Sequence, residues 1–164
     1  MNLYTTEEIE RIERVRETND KLEEFFNDKR NEWNKIVEPL FKSLSLDLSN
    51  SLNSKEILEA QSLALLNRQQ INEQINFFLN KRSKEITKIK KLKQDKFVFY
   101  AIGIGLKTNT GEKTTLIDGH LAENDRTIEL IESFVEFLRY TLKNLEGLSF
   151  SIKNMIELMN YLQK

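Results

Sequence analysis

The sequence has 164 residues without a single cysteine, so neither a disulfide nor a thiolate metal site contributes to the fold. Only five glycines and one proline accompany a charged content of 31%, which favours a mostly helical protein over a sandwich or barrel. No apolar run approaches the roughly 20 residues of a membrane span, and the acidic start MNLYTTEEIE is not typical of a signal peptide. We therefore expect a soluble cytoplasmic protein that does not associate with membranes.

The net charge of −1 conceals an uneven distribution along the chain. Residues 1–40 hold eleven acids and seven bases, and residues 118–164 hold eight acids and five bases. The middle of the chain therefore carries the positive excess. Charge that is sorted in this way indicates either a localised anion site or complementary contacts within an assembly.

The first predicted helix begins with a capping box, because Thr5 and Glu8 have the required spacing. Apolar residues at helical spacing extend it from about residue 6 to Glu38. Pro39 is expected to end or kink it, because proline lacks the amide hydrogen and clashes with the preceding turn. The stretch SLSLDLSNSLNS (43–54) then predicts a linker or a frayed helix end, although its alternation also fits a short strand.

A second long helix is predicted after a cap at Asn53 or Ser54. Its apolar residues gather on one side when successive residues are placed 100° apart. Four lysines fall within a sector of about 80° on the far side and form what we call the lysine stripe: Lys81, Lys84, Lys88 and Lys91. Arg82, Lys93 and Lys96 lie nearer the apolar face, so the stripe does not interrupt packing.

The segment 81–100 has eight cations, Lys90 among them, against the two acids Glu85 and Asp95. Three aromatic residues follow at the end of the charged run: Phe97, Phe99 and Tyr100. The lysines form either a solvated helix face or a surface that holds a polyanion. The aromatic rings are likewise either core at a helix end or exposed rings beside that surface.

The end of the second helix is predicted at Gly103 or Gly105, either of which can supply a left-handed C-terminal residue. The segment LKTNTGEKTT (106–115) has the composition of a loop or a small hairpin. A third helix is expected to begin at a cap provided by Asn124 or Asp125.

Gly147 interrupts the apolar pattern of that third helix, and a last helix follows it. The predicted fold class is mostly all-α, with long helices and a small irregular or hairpin segment near 103–118. Helices this long and this few cannot bury their apolar faces in a compact monomer, so we expect a helical homo-oligomer.

Catalytic chemistry has little support in the sequence. His120 is the only histidine and lies in IDGHLAEN (117–124), where no second histidine or cysteine completes a metal site or a nucleophilic triad. GIG (103–105) lacks the third glycine of a dinucleotide fingerprint, and TGEKTT (110–115) lacks the order of a phosphate loop. We expect a protein that is not an enzyme and holds neither metal nor cofactor; a small hydrolase centred on His120 is the enzymatic alternative.

Binding is the interpretation that these residues favour. Lysines neutralise phosphates and release counterions, and aromatic rings stack on unpaired bases without regard to sequence. The pattern therefore predicts a site for single-stranded nucleic acid. An anionic membrane surface ranks below it, because the opposite helix face has few aromatic residues suited to an interface.

Four stretches carry a resemblance to a known family. They are NEW (31–33), KKLKQDKFVFYAIG (90–103), LIDGHLAENDRTIEL (116–130) and LSFSIKNMIEL (148–158). In this order they resemble the UvsY family, the recombination mediator proteins of T4-like bacteriophages. The similarity covers residues 31–164 and implies a helical domain for DNA binding and oligomerisation, with residues 1–30 as an N-terminal helical extension.

The resemblance implies a role in DNA recombination, repair and replication. Such proteins bind single-stranded DNA and load a RecA-like recombinase onto DNA covered by single-stranded-DNA-binding protein; they are not enzymes and, if phage-encoded, act in the host cytoplasm. The candidate DNA-binding residues are Lys81, Arg82, Lys84, Lys88, Lys90, Lys91, Lys93, Lys96, Phe99 and Tyr100. A ring-like homo-oligomer would form through C-terminal helices, here with Phe150, Ile152, Met155, Ile156 and Met159. The alternative function is a non-catalytic helical adaptor whose lysine stripe pairs with acidic helices of neighbouring subunits.

Overall fold

The computed structural model describes residues 5–44, 54–103 and 109–162, and these residues are almost entirely helical. Three α-helices follow one another in the chain: α1 (Thr6–Leu44), α2 (Ser54–Val98) and α3 (Thr110–Leu162). A π turn (Phe99–Gly103) directly follows α2. The described ranges contain no strand, which confirms the predicted all-α class. Most of the predicted linker (43–54) lies outside the described ranges, as do residues 104–108 of the predicted irregular segment.

The start of α1 has the capping box that the sequence predicts. The Thr5 hydroxyl accepts a hydrogen bond from the Glu8 amide at 3.2 Å, and the Glu8 carboxylate accepts one from the Thr5 amide at 3.1 Å. The predicted helix end before Pro39 is wrong, because α1 continues to Leu44. Val37 and Leu40 are buried on either side of Pro39, and their packing offsets the roughly 3 kcal/mol that a proline costs inside a helix.

α3 begins at Thr110 and not at the predicted caps Asn124 and Asp125, so the expected hairpin or irregular segment is wrong for residues 110–118. Asn109 acts as the N-cap, since its side-chain oxygen accepts a hydrogen bond from the Glu112 amide at 2.8 Å. Ile117 and Leu121 are buried one turn apart. Their burial stabilises a helix across a stretch whose local composition favours a turn.

The predicted interruption at Gly147 is also wrong, because α3 passes through it. Leu145 and Leu148 are buried on the two sides of this glycine, whereas Gly147 itself is exposed. An exposed glycine costs a helix only about 1 kcal/mol relative to alanine. The buried neighbours therefore decide the conformation of this segment.

Asn109→Ala is expected to lower the free energy of unfolding by about 1 kcal/mol, because it removes the side-chain acceptor that caps α3. The measurement is chemical denaturation followed by circular dichroism. Asn144→Ala, at an exposed position within α3, is the matched control and is expected to be neutral or slightly stabilising. Equal effects of the two substitutions would contradict the capping role.

The chain divides into two compact units, the first formed by Met1–Phe26 with Phe78–Ser133 and the second by Asn27–Phe77 with Phe134–Lys164. Each unit combines a segment of all three helices. The sequence-based division between residues 30 and 31 falls inside α1 and stays a prediction.

Ion pairs show the helix directions within the first unit. Arg16 of α1 pairs with Glu123 of α3 at 3.0 Å, and the next pair along both helices joins Asp20 to Arg126, also at 3.0 Å. α1 and α3 are therefore parallel in this unit. α2 is antiparallel to α3, since Arg82 pairs with Glu132 while the later Lys93 pairs with the earlier Asp118. The core of this unit includes Ile89, Tyr100, Ile117 and Leu121.

The second unit has a partly buried polar contact between α1 and α2. The Trp33 indole of α1 donates a hydrogen bond to Gln74 of α2 at 3.1 Å. The Arg30 guanidinium lies 5.9 Å from the ring centroids of both Phe134 and Phe137 on α3, a distance at which cation–π attraction operates.

The residues proposed for the oligomer seam lie in this second unit and do not share one face. Phe150 is 64% exposed, whereas Ile152 is fully buried and Met155 and Ile156 are partly buried. Ile152 packs within its own chain, so its assignment to an inter-subunit seam is wrong in this structure. The side chain of Met159 lies outside the described part of the chain.

Candidate nucleic-acid interface

The lysine stripe is exposed along its whole length on α2. Lys81 and Lys91 are ten residues apart, so the stripe extends about 15 Å along the helix axis. Lys88 makes a long ion pair with Glu85 at 3.4 Å. Lys81, Lys84 and Lys91 make no ion pair with any residue that the structure describes. The stripe therefore presents positive charge that the first unit does not neutralise.

The neighbouring cations divide into one exposed and three paired residues. Lys90 is exposed but lies outside the sector of the stripe. Three other cations pair with carboxylates of the same unit: Arg82 with Glu132 at 2.6 Å, Lys93 with Asp118 at 2.8 Å and Lys96 with Glu8 at 2.5 Å. The hydrogen bond with Asp118 raises the pKa of Lys93. Lys96 is buried, so its assignment as a phosphate contact is wrong in this structure.

The aromatic residues after the stripe also separate into different environments. Phe99 is 49% exposed and Phe97 is 39% exposed, whereas Tyr100 is only 1% exposed. A buried ring offers no face to a base, so the assignment of Tyr100 to base stacking is corrected: it is a core residue. Phe99 lies two turns beyond Lys91 and is the exposed ring that continues the stripe.

A buried polar cluster lies behind the interface. The Tyr100 hydroxyl and His120 Nε2 are hydrogen-bonded at 2.9 Å. Nδ1 of the same histidine is 3.8 Å from the Glu8 carboxylate, which also binds the ammonium of Lys96. The cluster thus connects the start of α1, the end of α2, the π turn and α3.

The environment shifts the pKa of two members of this cluster. Burial opposes the charged form of His120, and the positive charge of Lys96 adds to that effect, while Glu8 only partly offsets it; the pKa of His120 is therefore lowered. Burial also disfavours the ionised form of Glu8, but hydrogen bonds from Lys96 and the Thr5 amide outweigh it, so the pKa of Glu8 is lowered as well. Arg11 is a further cation near the histidine.

Acidification is expected to destabilise the folded chain in this region. Because the folded pKa of His120 lies below its ordinary value of 6.5, the unfolded chain binds a proton first. The contribution of neutral His120 to the free energy of unfolding should be complete above pH 6.5. It should be lost as the pH falls from there through the folded pKa. The lowered pKa of Glu8 adds a further loss below its ordinary value of 4.5.

The measurement is urea denaturation at a series of pH values between about pH 8 and pH 5. His120→Gln is expected to flatten the dependence in the upper part of this range. Tyr100→Phe retains the histidine and should keep the dependence. A wild-type free energy of unfolding that stays constant or rises on acidification would contradict the linkage.

From the sequence, His120 was considered as a candidate catalytic or metal-binding group, and its burial in the core was not predicted. A signal was present in the sequence, because Ile117, Leu121 and Asn124 surround it at helical spacing and are all buried. The turn-like residues 106–115 concealed this pattern.

Among the described residues, no group of three or more histidine, cysteine or carboxylate side chains could hold a metal ion. No helix in the described ranges is long and apolar enough to cross a membrane.

Comparison with known proteins gives no assignment. No family model, curated protein or solved structure matches the chain.

Proposed function

We propose that this protein binds single-stranded nucleic acid along the lysine stripe of α2. The observation that carries the proposal is the selective pairing of cations in the segment 81–96. Arg82, Lys93 and Lys96 are held by carboxylates of the same unit, whereas the stripe lysines point to solvent. Charge that the fold leaves without a counterion is available to phosphates, and its counterions are released on binding.

The helix that carries the stripe is packed against the core of the first unit. Ile89 is buried on the opposite side of α2, so the helix cannot rotate without exposing its core. Lysines spaced three and four residues apart therefore keep their relative positions. A preformed row of cations binds a chain of phosphates without first having to order the backbone.

Phe99 supports a single-stranded ligand over a duplex. An exposed ring at the end of a basic row can stack on a base only if that base is not already stacked within a duplex, and such stacking contributes about 1–3 kcal/mol per base. Lysine contacts alone would hold either form of nucleic acid.

The biological role that we propose is that of a recombination mediator. It rests on the resemblance to the UvsY family, which implies loading of a RecA-like recombinase onto DNA covered by single-stranded-DNA-binding protein. A non-catalytic role agrees with the absence of a convergent set of reactive groups in the sequence.

The test is a fluorescence anisotropy titration of the wild-type chain with a labelled single strand and with a duplex of the same length. We expect the single strand to bind more tightly and both affinities to fall between about 50 and 200 mM salt. Failure to bind the single strand at the lower salt concentration would overturn the proposal.

The adaptor alternative has an observation of its own. Four carboxylates in the first-unit part of α1 are exposed within a sector of about 60°: Glu10, Glu13, Glu17 and Glu24. The first three have the same three-and-four spacing as Lys81, Lys84 and Lys88, so the two rows of charge could pair between copies of the chain.

Neutralising three of these carboxylates distinguishes nucleic-acid binding from the adaptor function. Glu10, Glu13 and Glu17 changed together to Gln should strengthen nucleic-acid binding by removing three negative charges, if the stripe binds phosphates. In the adaptor, the same change should instead dissociate the assembly, as seen by light scattering, without creating any affinity for the oligonucleotide.

A further inference from the structure

Tyr100 and Phe99 belong to the π turn and have opposite environments, although they are adjacent in sequence. Tyr100 is buried and reaches His120 on α3, whereas Phe99 is half exposed. π-helical turns widen the backbone spiral, and they occur frequently at functional sites. Here the buried ring and the exposed ring both belong to this turn.

The Phe99 ring is held by two contacts inside the first unit. It meets the Tyr100 ring in a tilted edge-on arrangement, with centroids 5.5 Å apart and an interplanar angle of 66°. It also lies against the backbone of Gly103, where an added Cβ would come within 3.3 Å of the ring. The orientation of the exposed ring is thus coupled to Tyr100 and to the absence of a side chain at Gly103.

We propose that His120 is a positioning residue of the nucleic-acid site, and that through its hydrogen bond to Tyr100 it holds the π turn in the conformation that presents Phe99 to an unpaired base. This inference rests on the proposed function. It assigns a role to the one histidine of the chain, which is buried and hydrogen-bonded to Tyr100.

The physical reason is preorganisation. A tyrosine hydroxyl buried at the end of a helix needs a hydrogen-bond partner, and His120 supplies it at 2.9 Å. With that bond in place, the Tyr100 ring forms a fixed wall for Phe99. A ring that is already oriented loses less conformational freedom when a base stacks on it, so the affinity gained from stacking is greater.

The experiment is a double-mutant cycle between Tyr100→Phe and Phe99→Ala. Tyr100→Phe removes only the hydroxyl and keeps the buried ring. The probe is an oligothymidylate with one 2-aminopurine, whose emission is quenched when the base stacks. Phe99→Ala is expected to weaken binding by about 5- to 150-fold, the range that one stacked base contributes.

Tyr100→Phe should cause part of the loss of affinity seen for Phe99→Ala and should reduce the quenching. The dependence of affinity on salt should stay as in the wild type, because every lysine remains. In the Phe99→Ala background, Tyr100→Phe should have no further effect, since it acts through the ring. Gly103→Ala, at an exposed position, should also reduce the quenching without removing any hydrogen bond.

Tyr140→Phe is the matched control, because that tyrosine is exposed on α3 and belongs to the second unit. It should change neither affinity nor quenching. Additive losses in the double variant, or unchanged quenching in both Tyr100→Phe and Gly103→Ala, would overturn the positioning role while leaving salt-dependent binding intact. A wild type that does not bind the oligonucleotide would overturn the proposed function and this inference together.

Discussion

Changing Lys84, Lys88 and Lys91 together to Ala is expected to abolish most of the salt dependence of single-strand binding. Each phosphate contact on a single strand contributes about 0.7 to the slope of log affinity against log salt, so three lost contacts lower the slope by about 2. Between 50 and 200 mM salt, the wild type should therefore lose about twentyfold more affinity than the variant. The measurement is the anisotropy titration at several salt concentrations.

The experiment needs a control that changes the net charge of the protein equally but leaves the lysine stripe intact. The control changes three exposed lysines away from the stripe, Lys21, Lys35 and Lys143, to Ala. Both triple variants carry a formal charge of −4 instead of −1. If the control lowers the slope as much as the stripe variant does, binding depends on overall charge, and the site assigned to α2 is wrong.

Phe26→Ala is expected to lower the free energy of unfolding by about 3–5 kcal/mol, a large part of the 5–15 kcal/mol that stabilises a typical domain. Phe26 is 1% exposed and meets the buried Phe78 edge-on, with ring centroids 5.3 Å apart. Removing its ring takes away buried apolar area and leaves a cavity between α1 and α2 in the first unit. Urea denaturation measures the loss.

The adjacent residue provides the control. Phe25 is 44% exposed, so Phe25→Ala removes the same side chain but less buried apolar area than Phe26→Ala does. We therefore expect a clearly smaller loss of the free energy of unfolding. Similar losses at both positions would contradict the burial of Phe26 between α1 and α2.

The helical class was predictable because it depends on a local property. Apolar residues recur at helical spacing throughout the chain, and few residues in it break helices. The capping box at Thr5 and Glu8 was equally readable, since all its contacts lie within one turn. Pro39, Gly147 and the start of α3 were not, because burial of neighbouring residues outweighed local preferences that point the other way.

The lysine stripe was also predictable, because its angular sector follows from position along a single helix. The same spacing sets Lys93 and Lys96 nearer the apolar face, but it does not show that they are paired. Their carboxylate partners Asp118 and Glu8 come from other helices. The number of cations available to a ligand therefore depends on helix packing.

The sequence by itself determined a helical chain with one row of lysines on the side away from the apolar face, because both follow from the spacing of residues within a helix. Only the tertiary structure decided that Asp118 and Glu8 neutralise Lys93 and Lys96, and that His120 contacts Tyr100. The reason is physical: ion pairs and hydrogen bonds between helices depend on which distant segments pack against each other, and the spacing of residues within one helix does not contain that information.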